Sequence, residues 1–288
     1  MLSPAGKISL QSFTGSSLVF FVICMFNHYY GITNLVVNTL IVFFYAVNVY
    51  FFLKFFYNEF AFAIAIRAAF LGLVLVLGLY IKLVAPPNIQ IFGGYMSVMA
   101  LFHYSEFLAI AIVQPKQVST DSFVINHSPQ YTIAAVSSWV EFFIETYFFP
   151  ALKAIHWLSN IGLCVCILGE VLRKTAILTA GSNFNHLVQC EKSSDHVLVT
   201  HGVYAWFRHP SYVGWFYWSI GTQIILINPL CIPAYTLASW MFFKERIYIE
   251  ESMLLSFFGQ QYCDYQQQVG TGIPFIEGYK IAAEGEEF

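Results

Sequence analysis

The sequence predicts an all-α, polytopic integral membrane protein with about eight transmembrane helices. Three observations carry that expectation. Of 288 residues, 58% are hydrophobic and only 10% charged, with mean hydropathy +0.65. A soluble domain carries about a quarter of its residues as charges. A chain this sparing of charge cannot cover a water-facing surface, so a single soluble domain is excluded. The apolar residues also gather into runs of the length that crosses a bilayer, roughly 20 residues each. Finally, the basic residues sort to one side of those runs. The net charge of −3 adds little, because field arguments need clustered charge.

In chain order the runs are 13–30, 32–53, 60–85, 89–113, 131–150, 154–178, 211–227 and 229–244. The first follows polar Ser and Gln with no small-residue cleavage pattern behind it, so it reads as a span and not as a cleaved signal. Gly72 and Gly78 in the third run, and Gly162 and Gly169 in the sixth, suit close helix approach. The last two runs are short and break at Asn228-Pro229, which reads as a hairpin tip because Pro starts a helix well and interrupts one badly. No internal repeat or low-complexity tract is evident. The ending EGEEF, within 282–288, looks like an appended epitope tag. Residues 1–150 then form N-terminal transmembrane helices, and 151–281 a second region that includes the last spans.

If the loops alternate sides, Lys7, Lys54, Lys116, Arg173, Lys174, Lys192, Arg208, Lys244, Arg246 and Lys280 share one side. Lys82 and Lys153 lie on the other, with Arg67 inside a span. The positive-inside rule places the first set in the cytosol, together with both termini and segment 179–210. The sequon Asn126-His127-Ser128, followed by Pro129, then falls on the wrong side for glycosylation. The cysteines at 24, 164, 166, 190, 231 and 263 show no disulfide framework, and most sit in apolar runs as small hydrophobes.

Because charge is scarce, its placement is informative. Three of the four arginines, Arg173, Arg208 and Arg246, lie in the C-terminal half at span edges. The longest hydrophilic interval begins NFNHLVQCEK and ends in RHPSYVG (208–214), rich in His, Tyr and Trp. The plain reading of RHPSYVG is a helix start with Pro210 in the first position. The same geometry binds a carboxylate or phosphate through free helix amides. In KERIYIEES (244–252), Arg246 and Glu250 stand at i and i+4 and share a helix face. That alone could be a surface ion pair, worth about 0.5 kcal/mol. Glu251 points about 100° away round the helix, so the two carboxylates cannot serve one ladder. His186, Cys190, His196, His201 and His209 could ligate zinc, but no spacing matches a zinc pattern, and no metal is expected. Glu106, Glu141, Glu145 and Glu170, with Arg67, are intramembrane charges and so functional candidates by default. Glu141 and Glu145, near the end of their run, equally suit interfacial snorkelling.

Together the clusters say more than either alone. The order Gln189, HVLVTHGVY (196–204), RHPSYVGWFYW (208–218), ERxxxEE (245–251) and FGxxYxxY (258–265) closely resembles the isoprenylcysteine carboxyl methyltransferase family. The motif region covers roughly 170–265, whereas the N-terminal spans match in kind and number without a diagnostic motif. The resemblance implies a C-terminal, cytoplasm-facing cofactor pocket that takes S-adenosyl-L-methionine. It implies an endoplasmic-reticulum membrane home and acceptors that are prenylated protein C-termini, such as those of small GTPases. It implies no nucleic-acid partner. By position, Gln189, His196, Val197, Leu198, Val199, Gly202, Tyr204, His209, Pro210, Ser211 and Tyr212 would line the cofactor pocket, with Glu250 also touching the cofactor. Arg246 would face the acceptor carboxylate, and Arg173 is a second candidate for that task.

Those roles suit the chemistry. A C-terminal carboxylate is ionised at neutral pH and a sulfonium carries its own leaving group, so neither a general base nor a general acid is needed. In-line positioning and exclusion of water remain. Three other readings stay open: a phospholipid amine methyltransferase, a sterol-reductase-like enzyme using NADPH, and a channel or transporter. The first would need an acceptor amine to lose a proton beside arginines. The second calls for more basic residues in 179–210, and the third for polar residues spread through several spans.

Overall fold

The computed structural model describes residues 2–30, 35–125, 128–186, 188–189, 191–192 and 196–280. These residues form helices and connecting turns, without a strand among them. The helices are α1 (Pro4–Ser17), α2 (Val19–Tyr30), α3 (Leu35–Phe56), α4 (Glu59–Val84), α5 (Pro87–Val113), α6 (Pro129–Phe148), α7 (His156–Ala180), α8 (Pro210–Leu226), α9 (Cys231–Phe258) and α10 (Gln260–Gln268). Among the described residues four helical stretches are long and apolar enough to cross a membrane: Pro4–Met25, Val37–Phe56, Glu59–Val84 and Pro87–Val113. The later helices carry charge within their length, with Glu141 and Glu145 on α6 and Glu170, Arg173 and Lys174 on α7. Asn126 and His127 of the sequon, and the ending 282–288, lie outside the described residues.

Several starts follow from local chemistry. The side chains of Ser3, Asn58 and Ser128 accept from Gly6, Ala61 and Tyr131 amides at 3.1, 2.9 and 3.2 Å, capping α1, α4 and α6. Pro129 then occupies the first turn of α6, where its missing N–H costs nothing. The run 13–30 is not one straight element. Helix begins at Pro4 and jogs at Leu18, where the hydroxyls of Ser16 and Ser17 both donate to Phe13 carbonyl at 2.9 and 2.8 Å. Serine hydroxyls that return to the backbone bend helices. At the other end, the run 229–244 is the first half of a longer helix. α9 continues unbroken to Phe258 and so carries Arg246, Glu250 and Glu251.

The chain divides into two compact units, one of Met1–Leu163 with Thr222–Cys231 and one of Cys164–Gly221 with Ile232–Phe288. In the first, α4 packs against α1 and α5 through small residues. A methyl group on Gly78 would stand 2.6 Å from the Gly93 carbonyl. Phe13 stacks on Tyr104 at 3.7 Å and Phe107 on Phe123 at 4.1 Å between apolar Ile64, Ala68 and Leu71. The tip at Asn228-Pro229 is a hairpin, as its sequence suggests. Buried Lys153 donates to the carbonyls of Leu226 and Ile227 and to Asn228 Oδ1 at 2.9, 2.8 and 2.9 Å, and pairs with Glu145 at 2.6 Å. Glu141 accepts from the Leu230 and Cys231 amides at 2.7 and 2.8 Å, capping α9. Glu141 and Glu145 therefore hold this tip.

In the second unit α7 and α8 cross where Gly169 meets Gly214. A methyl on either would lie 2.5 Å from the other's carbonyl oxygen, so only glycine permits this approach. Tyr212, Val213, Phe216, Phe243, Ile247, Ile273 and Ile276 close the core around that crossing.

Candidate functional site

The site grows from two helix positions in the second unit. α8 begins at Pro210, so the preceding residues Arg208 and His209 and the first-turn residues Ser211 and Tyr212 gather at its N-terminus. α9 passes alongside and contributes Arg246, Glu250, Glu251 and Leu254 at helical spacing. A turn at Gly202–Ala205 brings Tyr204 inward. Gly202 sits at φ +62, a left-handed conformation that a side chain would strain, with Thr179 beside it.

These elements enclose an open cavity of about 100 Å³. His196, Val197, Leu198, Val199, Tyr204, His209, Ser211, Tyr212 and Glu250 form part of its wall. Pro210 stands between two wall residues at the start of α8. Gly202 shapes the adjacent turn, and Gln189 is exposed and lies outside the wall. Arg246 flanks the cavity: its Nε donates to Tyr212 Oη at 2.9 Å, and its Nη2 donates to the His186 carbonyl. Tyr212 in turn donates to Glu250 Oε2. Arg246 and Glu250 are thus linked through a tyrosine hydroxyl. Arg173 is 1% exposed, with its guanidinium 4.6 Å from the Trp215 ring and Nη1 donating to the Ser211 carbonyl at 3.3 Å. It reaches the cavity through the backbone of a wall residue.

The sequence reading missed the ionic network behind this wall. Glu251 is fully buried and accepts from Arg208 Nε at 2.8 Å, His209 Nε2 at 3.0 Å and Tyr262 at 3.1 Å. Gln266 and the Tyr279 amide also reach it, at 3.0 and 2.8 Å. Burial alone would raise its pKa, but hydrogen bonds and charge from His209 and Arg208 outweigh that and hold it at about 2. Arg208 is committed in full, with Nη1 on the Gln266 and Val269 carbonyls and Nη2 on the Glu277 carbonyl at 2.8 Å. The signal was present: Glu251 turns away from Glu250, and a fully buried carboxylate requires a cation. Asn183, Phe184, Asn185 and Leu254 also line the cavity without having been singled out, and so do Phe258, Tyr262 and Tyr265 of the FGxxYxxY motif, which had been given no role. The three-residue spacing of Tyr262 and Tyr265 on α10 marked a shared face.

The cavity's electrostatics limit its ligand. Among the described residues its one lysine or arginine, Arg208, is spent on Glu251 and carbonyls, so none of them stands ready for a phosphate. Burial raises the pKa of Tyr204, Tyr262 and Tyr265, which stay phenolic, and Tyr265 donates to the Tyr204 carbonyl at 2.6 Å. Burial, and then Lys192, lower the pKa of His196, favouring a neutral ring at the mouth. Asn183 Oδ1 accepts from the Val197 amide at 2.9 Å and ties down the stretch 196–199. The wall thus combines aromatic faces, neutral hydrogen-bonding groups and one carboxylate, Glu250. Among the described residues no three His, Cys, Asp or Glu side chains could hold a metal ion, and Cys190 lies outside them.

Comparison with known proteins identifies the chain's family. The profile of the isoprenylcysteine carboxyl methyltransferase (ICMT) family matches residues 161–256. The chain is 99% identical over 281 residues to the protein-S-isoprenylcysteine O-methyltransferase of Tribolium castaneum, covering 98% of this chain and 100% of the relative. The Homo sapiens protein of the same name is 56% identical over 218 residues, covering 76% of each chain. The Saccharomyces cerevisiae one is 39% identical over 208 residues, covering 70% of this chain and 87% of its own length. The matched stretch runs from α7 into α9 and supplies most of the cavity wall, and the identity extends far beyond it. The chain belongs to the isoprenylcysteine carboxyl methyltransferase family.

Proposed function

We propose that this protein is a multi-pass membrane enzyme that transfers a methyl group from S-adenosyl-L-methionine to the C-terminal carboxylate of prenylated proteins, giving a methyl ester. One observation carries the reading: Arg246, a fork-shaped cation, is held by Tyr212 beside a cavity whose own carboxylate is Glu250. The donor, when bound, supplies an electrophilic methyl group on a sulfonium. The cavity fits such a molecule in kind. Aromatic and aliphatic walls from Leu198, Tyr204, Leu254 and Phe258 suit an adenine, Glu250 suits ribose hydroxyls or an ammonium, and the amides at the start of α8 suit a carboxylate. The lack of a disengaged basic wall residue disfavours a dinucleotide phosphate and hence the NADPH-reductase reading.

Arg246 orients the acceptor carboxylate bidentately, and Arg173 supports the same end of the site through Ser211. The carboxylate loses charge as the ester forms, so a tight ground-state grip on it works against the chemistry. Tyr212 tempers that grip by accepting from the Arg246 guanidinium, and Glu250 polarises that hydroxyl in turn. Around the site, 151–281 forms the catalytic region and 1–150 the N-terminal transmembrane helices, with eight spans in all. The endoplasmic-reticulum membrane is the proposed home, and the cavity opens to the cytosol, where the donor is soluble. The prenyl tail stays in the bilayer and reaches the site sideways. Each buried CH₂ contributes about 0.8 kcal/mol, so the lipid phase concentrates the acceptor.

The test is direct. Purified protein should transfer a labelled methyl group from S-adenosylmethionine to N-acetyl-farnesylcysteine as a base-labile ester. Calorimetry should detect S-adenosylhomocysteine binding and none of NADPH. Binding of NADPH alone would return the chain to the reductase reading, and methylation of a phospholipid amine alone to the other methyltransferase.

A further inference from the structure

The first unit contains another cavity, which shares no lining residue with the candidate site. It lies among α2, α3 and α4, encloses about 810 Å³, and is walled chiefly by aliphatic side chains. Among its lining residues only a few are polar, and they gather at the end where α2 runs into α3 and α4 into α5: Asn27, Asn38, Thr39 and Tyr80. Asn38 is 2% exposed, and its Nδ2 donates to Tyr80 Oη at 2.8 Å. The amide oxygens of Asn38 and Asn27 are buried and have no hydrogen-bond partner among the described residues. An orphaned amide in an apolar bundle costs about 1–3 kcal/mol, which a matching ligand group recovers.

We propose that this cavity is a binding site for a sterol, with the sterol hydroxyl between the Asn27 and Asn38 amides and the ring body along the aliphatic wall. Among the described residues no charged side chain lines the cavity, so a phosphodiester or ammonium headgroup finds no counter-charge from them. A lone hydroxyl both donates and accepts, and it satisfies an amide in either orientation. Nearly half of the lining is β-branched, Val19, Ile23, Val42 and Val76 among it, and stiff side chains present a firm surface suited to a rigid body. From Leu73 to Val84 the wall follows α4 for roughly 16 Å at 1.5 Å per residue, long enough for a fused-ring body below its hydroxyl.

The experiment uses the full chain in lipid nanodiscs and a diazirine-bearing cholesterol analogue as probe. The expected result is saturable crosslinking to peptides of α2–α4, displaced by cholesterol and not by its 3-keto analogue. The variant pair Asn38→Leu with Tyr80→Phe should weaken labelling about tenfold, the change that ~1.4 kcal/mol of lost hydrogen bonding produces. Val42→Trp, which fills the cavity without touching the amides, should abolish labelling. S-adenosylhomocysteine affinity, read as evidence of folding, should stay unchanged in both variants. Non-saturable labelling, equal displacement by the 3-keto sterol, or labelling indifferent to both variants would overturn the proposal. Stronger displacement by diacylglycerol or a prenyl alcohol than by cholesterol would overturn the sterol assignment.

Discussion

Two neighbouring carboxylates on one helix do different work, because one faces a cavity and the other a buried cation. Glu250 meets the cavity and the Tyr212 hydroxyl, whereas Glu251 anchors Arg208 and His209 behind it. Substitution should separate them. Arg246→Ala should lose most methyl transfer while S-adenosylhomocysteine still binds, and Arg246→Lys should rescue little, because an ammonium lacks the planar fork that fixes a carboxylate. Glu250→Ala should instead weaken donor binding, readable by calorimetry. A mere surface pair between these two would leave activity near normal in both variants. Glu251→Gln differs again, for it strands Arg208 in the interior and should cost roughly 3–5 kcal/mol of stability. The pH dependence follows in sign. The Glu251 carboxyl is held at about 2, below the ordinary 4.5, so its stabilisation is complete above pH 4.5 and fades as pH falls toward 2. Thermal unfolding in detergent should therefore show a stability step below pH 4.5 that Glu251→Gln lacks.

At the scale of elements, the site depends on how closely α7 and α8 approach. The Gly169–Gly214 contact leaves no space for a methyl, and a side chain on Gly214 would also crowd the Arg173 backbone at 2.8 Å. Gly214→Ala should separate the helices at a cost of about 1–3 kcal/mol, the usual penalty of overpacking. Since α8 also carries Ser211 and Tyr212, the same change should lower donor affinity. Gly15→Ala is the control, because nothing stands within 4 Å of its added methyl. At that half-buried but uncrowded position of α1 the change should be neutral or stabilising by up to ~1 kcal/mol, the helix propensity of Ala over Gly. Differential scanning fluorimetry of the two variants, with and without S-adenosylhomocysteine, measures both effects.

For the whole molecule, the lopsided loop charges set an expected orientation. Single cysteines at Ser193 or Ser194, positions outside the described residues, should react with an impermeant maleimide from the cytosolic face of sealed microsomes. Labelling only after the vesicles are opened would invert the topology and remove the donor's route to the cavity. The same experiment at Pro229, on the α8–α9 tip, should give the opposite pattern.

Much of this architecture is legible in the chain by itself. Among the described residues the apolar runs fall largely on helix, the hairpin tip at Asn228-Pro229 is where the break in hydrophobicity puts it, and RHPSYVG starts α8. The family follows from motifs between 189 and 265, confirmed by identity to relatives. These features are local, since hydrophobic length, proline placement and helical spacing act within a few turns. What the chain alone left undecided involves partners far apart in sequence. Arg208 meets Glu251, Gln266 and Glu277 only after α8, α9 and the C-terminal segment pack together. Arg173 and Arg246 look alike as span-edge cations, yet folding buries one under Trp215 and ties the other to Tyr212 at the cavity's edge. Local periodicity determines which residues share a face of one helix. Only tertiary packing decides which face meets a cavity and which a buried counter-charge, because that depends on desolvation by elements distant in the chain.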